Sequence, residues 1–259
     1  MIGAADVLTI RVRPVDAGEA AGLVLAWAET ETPWAAEGRG RVVCAANVHM
    51  VMEAWDDPGF AHALAGADLV VCDGRPLVWY CRAAGLGAAR QARGLDVMLA
   101  ACAAAERSGI RVGLYGGTSD ALQLVRRRLA EAYPELDIVY SYSPPFRTLT
   151  QAEDDAVTAA VAKAGVQILF VALGCPKQER WMLVHRERVA AVMLGVGAAV
   201  DFVAGSVPSA PRWMQVAGLE WAFRLAHEPR RLWRRYARSN LRFVLLAART
   251  LLSNRARQA

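Results

Sequence analysis

Gln167-Ile168-Leu169-Phe170-Val171-Ala172-Leu173, followed at once by Gly174-Cys175-Pro176-Lys177-Gln178-Glu179, is the stretch whose reading decides the fold. Its first half is apolar at every position after Gln167 and too short for a buried helix. That pattern predicts a strand covered by helices on both faces. Gly174 and Pro176 then punctuate the chain, and Pro176 suits the start of a helix. The same grammar extends in both directions. Strands are predicted over Val7–Val12, Arg41–Ala45, Asp68–Cys72, Arg111–Tyr115, Asp137–Tyr140 and Ala191–Val196. Helix-period segments lie between them: Gly18–Ala28, Met50–Ala54 with Pro58–Ala65, Leu95–Ser108, Ser119–Tyr133, Gln151–Ala164 and Lys177–Arg188. Strands alternating with helices imply βαβ units, an α/β fold and a largely parallel sheet.

Helix ends are legible too. Thr118, Ser119 and Asp120 can cap the helix after Gly116-Gly117, Thr150 with Glu153 reads as a capping box, and Pro134 ends the preceding helix. No internal repeat or low-complexity linker interrupts the pattern.

The 259 residues are 55% hydrophobic and 21% charged, which suits one large domain, or one domain with an appendage, and excludes global disorder. No apolar run reaches the length of a spanning helix, and the N-terminus lacks the apolar core of a secretory signal. A cytoplasmic protein is expected. The five cysteines are odd in number and never in CxxC spacing, so reduced, mostly buried thiols are predicted. The four histidines are scattered without ligand spacing, so neither a metal cage nor a cofactor is called for.

Charge is unevenly spread. From Arg224 onward there are ten arginines and one acid, Glu228, so this tail carries +9 against an overall +5 and the rest carries −4. The tail also holds Trp233, Tyr236 and the apolar run Phe243–Ala248. A basic, Trp-containing amphipathic stretch reads as a membrane-surface element. A nucleic-acid tail would account for the arginines but not for the apolar run, so no nucleic-acid partner is expected. An ordinary dimer-forming helix is the remaining reading, and self-association stays open.

In open parallel sheets ligands bind beyond the carboxyl ends of the strands. Four loops fall there: Ala46-Asn47, Cys72-Asp73-Gly74-Arg75, Gly116-Gly117-Thr118-Ser119 and Leu173 to Gln178. Asp73 could act as a general base on a sugar hydroxyl, or it could be a turn residue capping the next helix. Gly116 and Gly117 could present bare N–H groups to phosphate at a helix start, or form a plain tight turn. Lys177 could neutralise phosphate and Gln178 could both donate and accept, or the two could belong to a capped helix start with solvent-facing charges. No Asp-x-Asp follows a strand, so a leaving diphosphate would be stabilised by side-chain cations rather than a chelated divalent metal. Arg224, Arg231 and Arg234 are spaced to line one side of a continuous helix, though Pro229 interrupts it.

Taken together, AANVHMV (45–51), CDGRPLVW (72–79), RGLDVM (93–98), GLYGGTSD (113–120), YPELDIV (133–139), VALGCPKQERW (171–181), GVGAAVDFVAG (195–205) and APRWMQVAGLEWAFRLAHEPRRLWRRY (210–236) resemble the WecG/TagA/CpsF family of bacterial glycosyltransferases, glycosyltransferase family 26. The resemblance runs from about Val42 to Phe243. It implies a Rossmann-like catalytic core, residues 1–208, and a helical C-terminal appendage, residues 209–259, that associates with membrane and completes the active site. It also implies metal-independent, inverting transfer from a UDP-sugar to a polyprenyl-diphosphate-linked sugar in cell-surface polysaccharide synthesis, on the inner face of the cell membrane. Carried over by position, Asp73 matches the proposed base, Asn47 a pocket residue near the acceptor, and Gln178 and Asp201 the nucleotide-sugar site. Arg224, Arg231 and Arg234 match appendage arginines that engage the diphosphate. Three blocks depart from the family: Ala45 replaces a frequent Thr, Ser209-Ala210-Pro211 replaces Arg-Ala-Pro, and the arginine usual before the 94–108 helix is matched by either Arg90 or Arg93. Competing readings are a nicotinamide-dependent oxidoreductase, which would want a G-x-G-x-x-G fingerprint that is absent, and a non-catalytic membrane-bound scaffold, which would need neither Asp73 nor Gln178.

Overall fold

The computed structural model describes residues 3–29 and 39–258, the side chains of Arg231, Arg235 and residues 254–258 excepted. Six parallel strands form the central sheet: β3 (Arg41–Ala46), β4 (Leu69–Cys72), β5 (Val112–Gly116), β6 (Ile138–Tyr142), β7 (Ile168–Ala172) and β8 (Val192–Gly195), in the spatial order β4-β3-β8-β7-β5-β6. Each lies within two residues of its predicted bounds. The run at 168–172 explains why. Ile168 and Phe170 enter the apolar cluster on one face of the sheet, Leu169 and Val171 the cluster on the other, and all four are fully buried. A strand with no solvated face has no polar position to alternate with.

Helices cover both faces. One layer holds α1 (Ala17–Ala28), α5 (Gly94–Ser108), α6 (Ser119–Ala132) and α9 (Ala199–Ala204). The other holds α2 (Val48–Asp56), α3 (Pro58–Leu64), α4 (Arg75–Ala83), α7 (Gln151–Lys163) and α8 (Lys177–His185). The predicted caps are present: Thr118 accepts from the Ala121 N–H, and Thr150 and Glu153 exchange both bonds of a capping box. All five cysteines are free and four are buried.

The structure departs from the sequence reading at the N-terminus and in helices α4 and α9, which fall outside the predicted helix segments. Val7–Val12 is not one strand but an antiparallel hairpin, β1 (Ala5–Val7) and β2 (Ile10–Val12), turned at Leu8, whose φ is 55°. The turn lacks the Gly or Asn that normally announces such a backbone. Helix α4 was not expected as a separate element; its N-cap, Gly74, makes no side-chain cap bond. The tail is divided into α10 (Arg212–Val216), α11 (Glu220–His227) and α12 (Pro229–Gln258), and its last break falls at Glu228-Pro229, where Pro229 was expected to interrupt the helix. Arg224 therefore sits on one helix and Arg231 and Arg234 on another, and the three do not line a single helix side.

Helix α12 lies against α2. Phe243 and Ala247 are buried there, and Arg242 grips Asp56 with two bonds of 2.8 and 2.6 Å, holding that carboxyl below its ordinary value. No helix among the described residues is long and apolar enough to cross a membrane.

Candidate active site

Because every strand of the sheet is parallel, the loops after β3, β4, β5, β7 and β8 gather along one edge. Asp73 stands at the end of β4. Its backbone N–H and that of Gly74 donate to the Ala46 carbonyl at the end of β3, at 2.8 and 3.3 Å, so the two strand ends are tied together. Its carboxylate does not cap α4. Instead Oδ1 accepts from the Gly94 N–H at 2.8 Å, at the start of α5, and the Gln91 amide donates 2.6 Å to its carbonyl. Asn47 caps α2: its Oδ1 accepts from the His49 and Met50 N–H groups, which leaves its Nδ2 facing Asp73 Oδ2 at 3.5 Å. Burial pushes the Asp73 carboxyl up to about 6. The Gly94 bond opposes this, the neighbouring Glu220 carboxylate adds to it, and Asn47 and Arg224 oppose it. A carboxylate titrating near neutrality and fixed from behind suits a general base.

A cavity of about 790 Å³ lies over the sheet end, with Gly117, Lys177, Gln178 and Asp201 in its wall. Gly117 rather than Gly116 faces it. Gly116, at φ +107°, is a packing glycine whose Cβ would fall 2.5 Å from the Ala172 carbonyl oxygen. Gln178 is only 4% exposed and reaches over β8 because Gly195 has no side chain; a Cβ there would lie 2.9 Å from Gln178 Nε2. Its Oε1 accepts from the Gly174 N–H at 3.2 Å and its Nε2 donates 2.7 Å to Glu179 Oε1. Glu179 is fully buried, and its carboxyl is raised by that burial. The expectation of solvent-facing charges at this helix start fails for Glu179. Further along the wall, Tyr115 and Trp181 pack ring to ring at 4.6 Å, and Trp181 stacks on His185 at 4.3 Å.

A second cavity, of about 560 Å³, lies between α4 and the C-terminal helices α11 and α12. The two cavities share four lining residues: Asn47, Asp73, Glu220 and Arg224. They meet at the carboxylate.

Of the three appendage arginines, Arg224 is brought to this junction. Its Nε is buried with no hydrogen-bond partner and its guanidinium lies 5.6 Å from the Phe202 ring centroid. Arg234 is exposed, lies over the Trp233 ring at 5.4 Å, and lines neither cavity. The Arg231 side chain lies outside the described residues. Of Arg90 and Arg93, Arg93 is the one that lines a cavity. Arg90 pairs with Asp16 on the surface at 2.6 Å. Arg93 lines the larger cavity, holds Asp96 with two 2.7 Å bonds, and donates 2.6 Å to Gln215 on α10. It therefore clips the C-terminal helices onto the core. Arg75, placed by the sequence in the same candidate loop as Asp73 but given no role there, lines the smaller cavity. Sequence reasoning missed Glu220 as a pocket residue, because it reaches Asp73 only through the path of the C-terminal helices.

A parallel sheet whose loop edge carries two cavities meeting at one fixed carboxylate has room for two substrates side by side. The WecG/TagA/CpsF glycosyl transferase family matches residues 5–257, and the chain belongs to that family. It is 30% identical over 200 residues to the N-acetylglucosaminyldiphosphoundecaprenol N-acetyl-beta-D-mannosaminyltransferase of Bacillus subtilis, covering 76% of this chain and 75% of that protein. The enzyme of the same name from Bacillus spizizenii is 28% identical over 208 residues, covering 79% and 78%.

Proposed function

We propose that this glycosyltransferase moves N-acetylmannosamine, or a close relative of it, from UDP to a sugar carried on polyprenyl diphosphate. The observation that carries the reading is the junction at Asp73, where a cavity over the sheet end and a cavity between α4 and α12 share one carboxylate; the first would take the donor and the second the acceptor. In the larger cavity Lys177, the α6 turn at Gly117, Gln178 and Asp201 would hold the nucleotide sugar, with Tyr115 and Trp181 giving a flat apolar wall suited to a base.

Asp73 takes the proton from the acceptor hydroxyl, and that oxygen attacks the anomeric carbon from the face opposite UDP. The bond from that carbon to the UDP oxygen breaks, with inversion. Arg224, whose Nε is buried with no hydrogen-bond partner, neutralises the charge that develops on the departing diphosphate. Asn47 keeps the carboxylate aimed.

Residues 209–259 act as an appendage that completes the site and docks the enzyme on the cytoplasmic face of the membrane. Support comes from α12, about 45 Å long at 1.5 Å per residue. It carries exposed Leu241, Leu245 and Leu252 on one stripe, with exposed Arg230, Arg234 and Arg249 along the same helix.

The test is a panel of UDP-sugars against a lipid-diphosphate-linked N-acetylglucosamine acceptor. Transfer from UDP-N-acetylmannosamine above the other donors is expected. Transfer from none of them would overturn the reading.

A further inference from the structure

Between α4 and α12 the smaller cavity has an apolar stretch, with Trp79 and Ala83 from α4 on one side and Phe243, Val244, Ala247 and Leu251 from α12 on the other, beside Tyr236 and Asn240. Arg75 lines the same cavity at the start of α4. Its Nε is buried without a hydrogen-bond partner, and among the described residues its guanidinium has no ion pair. The loop before α11 fixes it there: a Cβ on Gly218, whose φ is +71°, would fall 2.6 Å from the Trp79 ring and 3.3 Å from Arg75 Cβ. A guanidinium at the edge of an apolar slot, with its Nε buried and no ion pair of its own among the described residues, is suited to an anion. The slot does not close at its far end. Val244 is 59% exposed, and Leu241, Leu245 and Leu252 of the same helix are exposed beside it.

We propose that the apolar half of this cavity binds the first isoprene units of the acceptor lipid, and that Arg75 holds the phosphate at the lipid end of the diphosphate. The inference rests on the acceptor class assigned above. It accounts for three observations together: an anion-seeking guanidinium, an apolar slot directly behind it, and an opening onto the exposed apolar stripe of α12, through which the rest of the chain would run into the bilayer. A water-soluble acceptor would have no use for the last two. The sugar then lies over Asp73, the lipid-end phosphate at Arg75, and the lipid between α4 and α12.

The experiment compares acceptors bearing one, two and three isoprene units on the same diphosphate-linked sugar, in buffer without detergent or vesicles, so that membrane partitioning plays no part. Burying a five-carbon unit should lower acceptor KM by roughly tenfold even after the cost of ordering it. KM is expected to fall by about that factor for each of the first units and then level off. Ala83→Trp and Ala248→Trp fill the slot from opposite walls at exposed positions, where a larger side chain does not disturb the core. Each should shrink the gain in kcat/KM between the longest and shortest acceptors to about threefold or less. Arg75→Ala should raise acceptor KM by about 10–100-fold at constant donor KM. A wild-type KM independent of chain length, with transfer intact, would overturn the inference while leaving the transferase reading in place. Donor binding without transfer to any of these acceptors would overturn that reading and the inference with it.

Discussion

The two cavities are made of different material. The larger one is cut into the rim of the sheet, from turns whose backbones are fixed by strand register and close-packed glycines. The smaller one is a gap between helices: α4 on one side, and on the other α11 and α12, which are hung on the core by Arg93 with Gln215 and by Arg242 with Asp56. Only the four shared residues belong to both. The difference teaches a division of labour. Asp73, Gly117 and Gln178 are held at the sheet edge, while Glu220 and Arg224 reach the junction from a helix that packs separately.

Predictions follow this division, beginning with the junction. Arg224→Ala should lower kcat by about 10²–10³-fold, the range for losing one preorganised stabiliser of developing charge. Arg234→Ala, which lines neither cavity, should stay within about threefold. Steady-state kinetics with both substrates saturating separates them, and equal losses would erase the distinction between α11 and α12. Because α12 buries Phe243 and Ala247 against α2, point substitutions probe it more cleanly than truncation.

Next comes the clip. Arg93→Lys keeps the charge but loses the fork that holds Asp96 and Gln215 together, and should lower kcat/KM by about tenfold. The loss should fall on acceptor KM more than donor KM, because the clip holds the helices that wall the smaller cavity. A purely donor-side effect would contradict that placement.

A smaller effect concerns stability. Asp73 has a carboxyl raised from 3.8 to about 6, chiefly by burial. The folded state therefore prefers the neutral acid. Below about pH 4 both folded and unfolded chains are protonated and nothing is lost; the cost grows from there to pH 6 and is complete above it. Asp73→Asn should thus be more stable than wild type at pH 8 by about 1–2 kcal/mol, discounted for partial solvation, or some 2–4 °C in Tm. The difference should vanish near pH 4. Calorimetry at the two pH values checks the sign.

The smallest expected effect is none. EDTA should leave turnover unchanged within about twofold, because the sequence places no Asp-x-Asp after a strand while Arg224 and Lys177 supply cations. Loss of activity restored by magnesium or manganese would count against this.

Most of the sheet-built cavity was legible in the sequence, and much of the helix-built one was not. Continuous apolar runs mark doubly covered strands, and Gly116-Gly117 and Gly174-Cys175-Pro176 mark their ends, so the loops could be placed from local signals. Asp73 could be located by the same logic, but spacing alone could not separate a base from a cap. The bond to Gly94, far along the chain, decides that its side chain does not cap α4. Glu220 and the contact of Arg93 with Gln215 depend on how the three C-terminal helices fold back over the core. That path is set by Gln215, Gly218 and the break before Pro229, whose contacts are non-local. The hairpin at Leu8 was missed for a local reason: a left-handed turn built without glycine or asparagine leaves no mark in the sequence.

The central claim is that Asp73 is the base at the junction of the two cavities. Single-turnover transfer by wild type and Asp73→Asn, measured from pH 5 to pH 8 with UDP affinity followed in parallel, tests it most directly. Wild type should gain activity as the carboxylate forms, with a midpoint near 6. Asp73→Asn should be slower by about 10²–10⁴-fold, lack that rising limb, and bind UDP as wild type does. Near-normal transfer by Asp73→Asn, or the same rising limb in both proteins, would contradict the account.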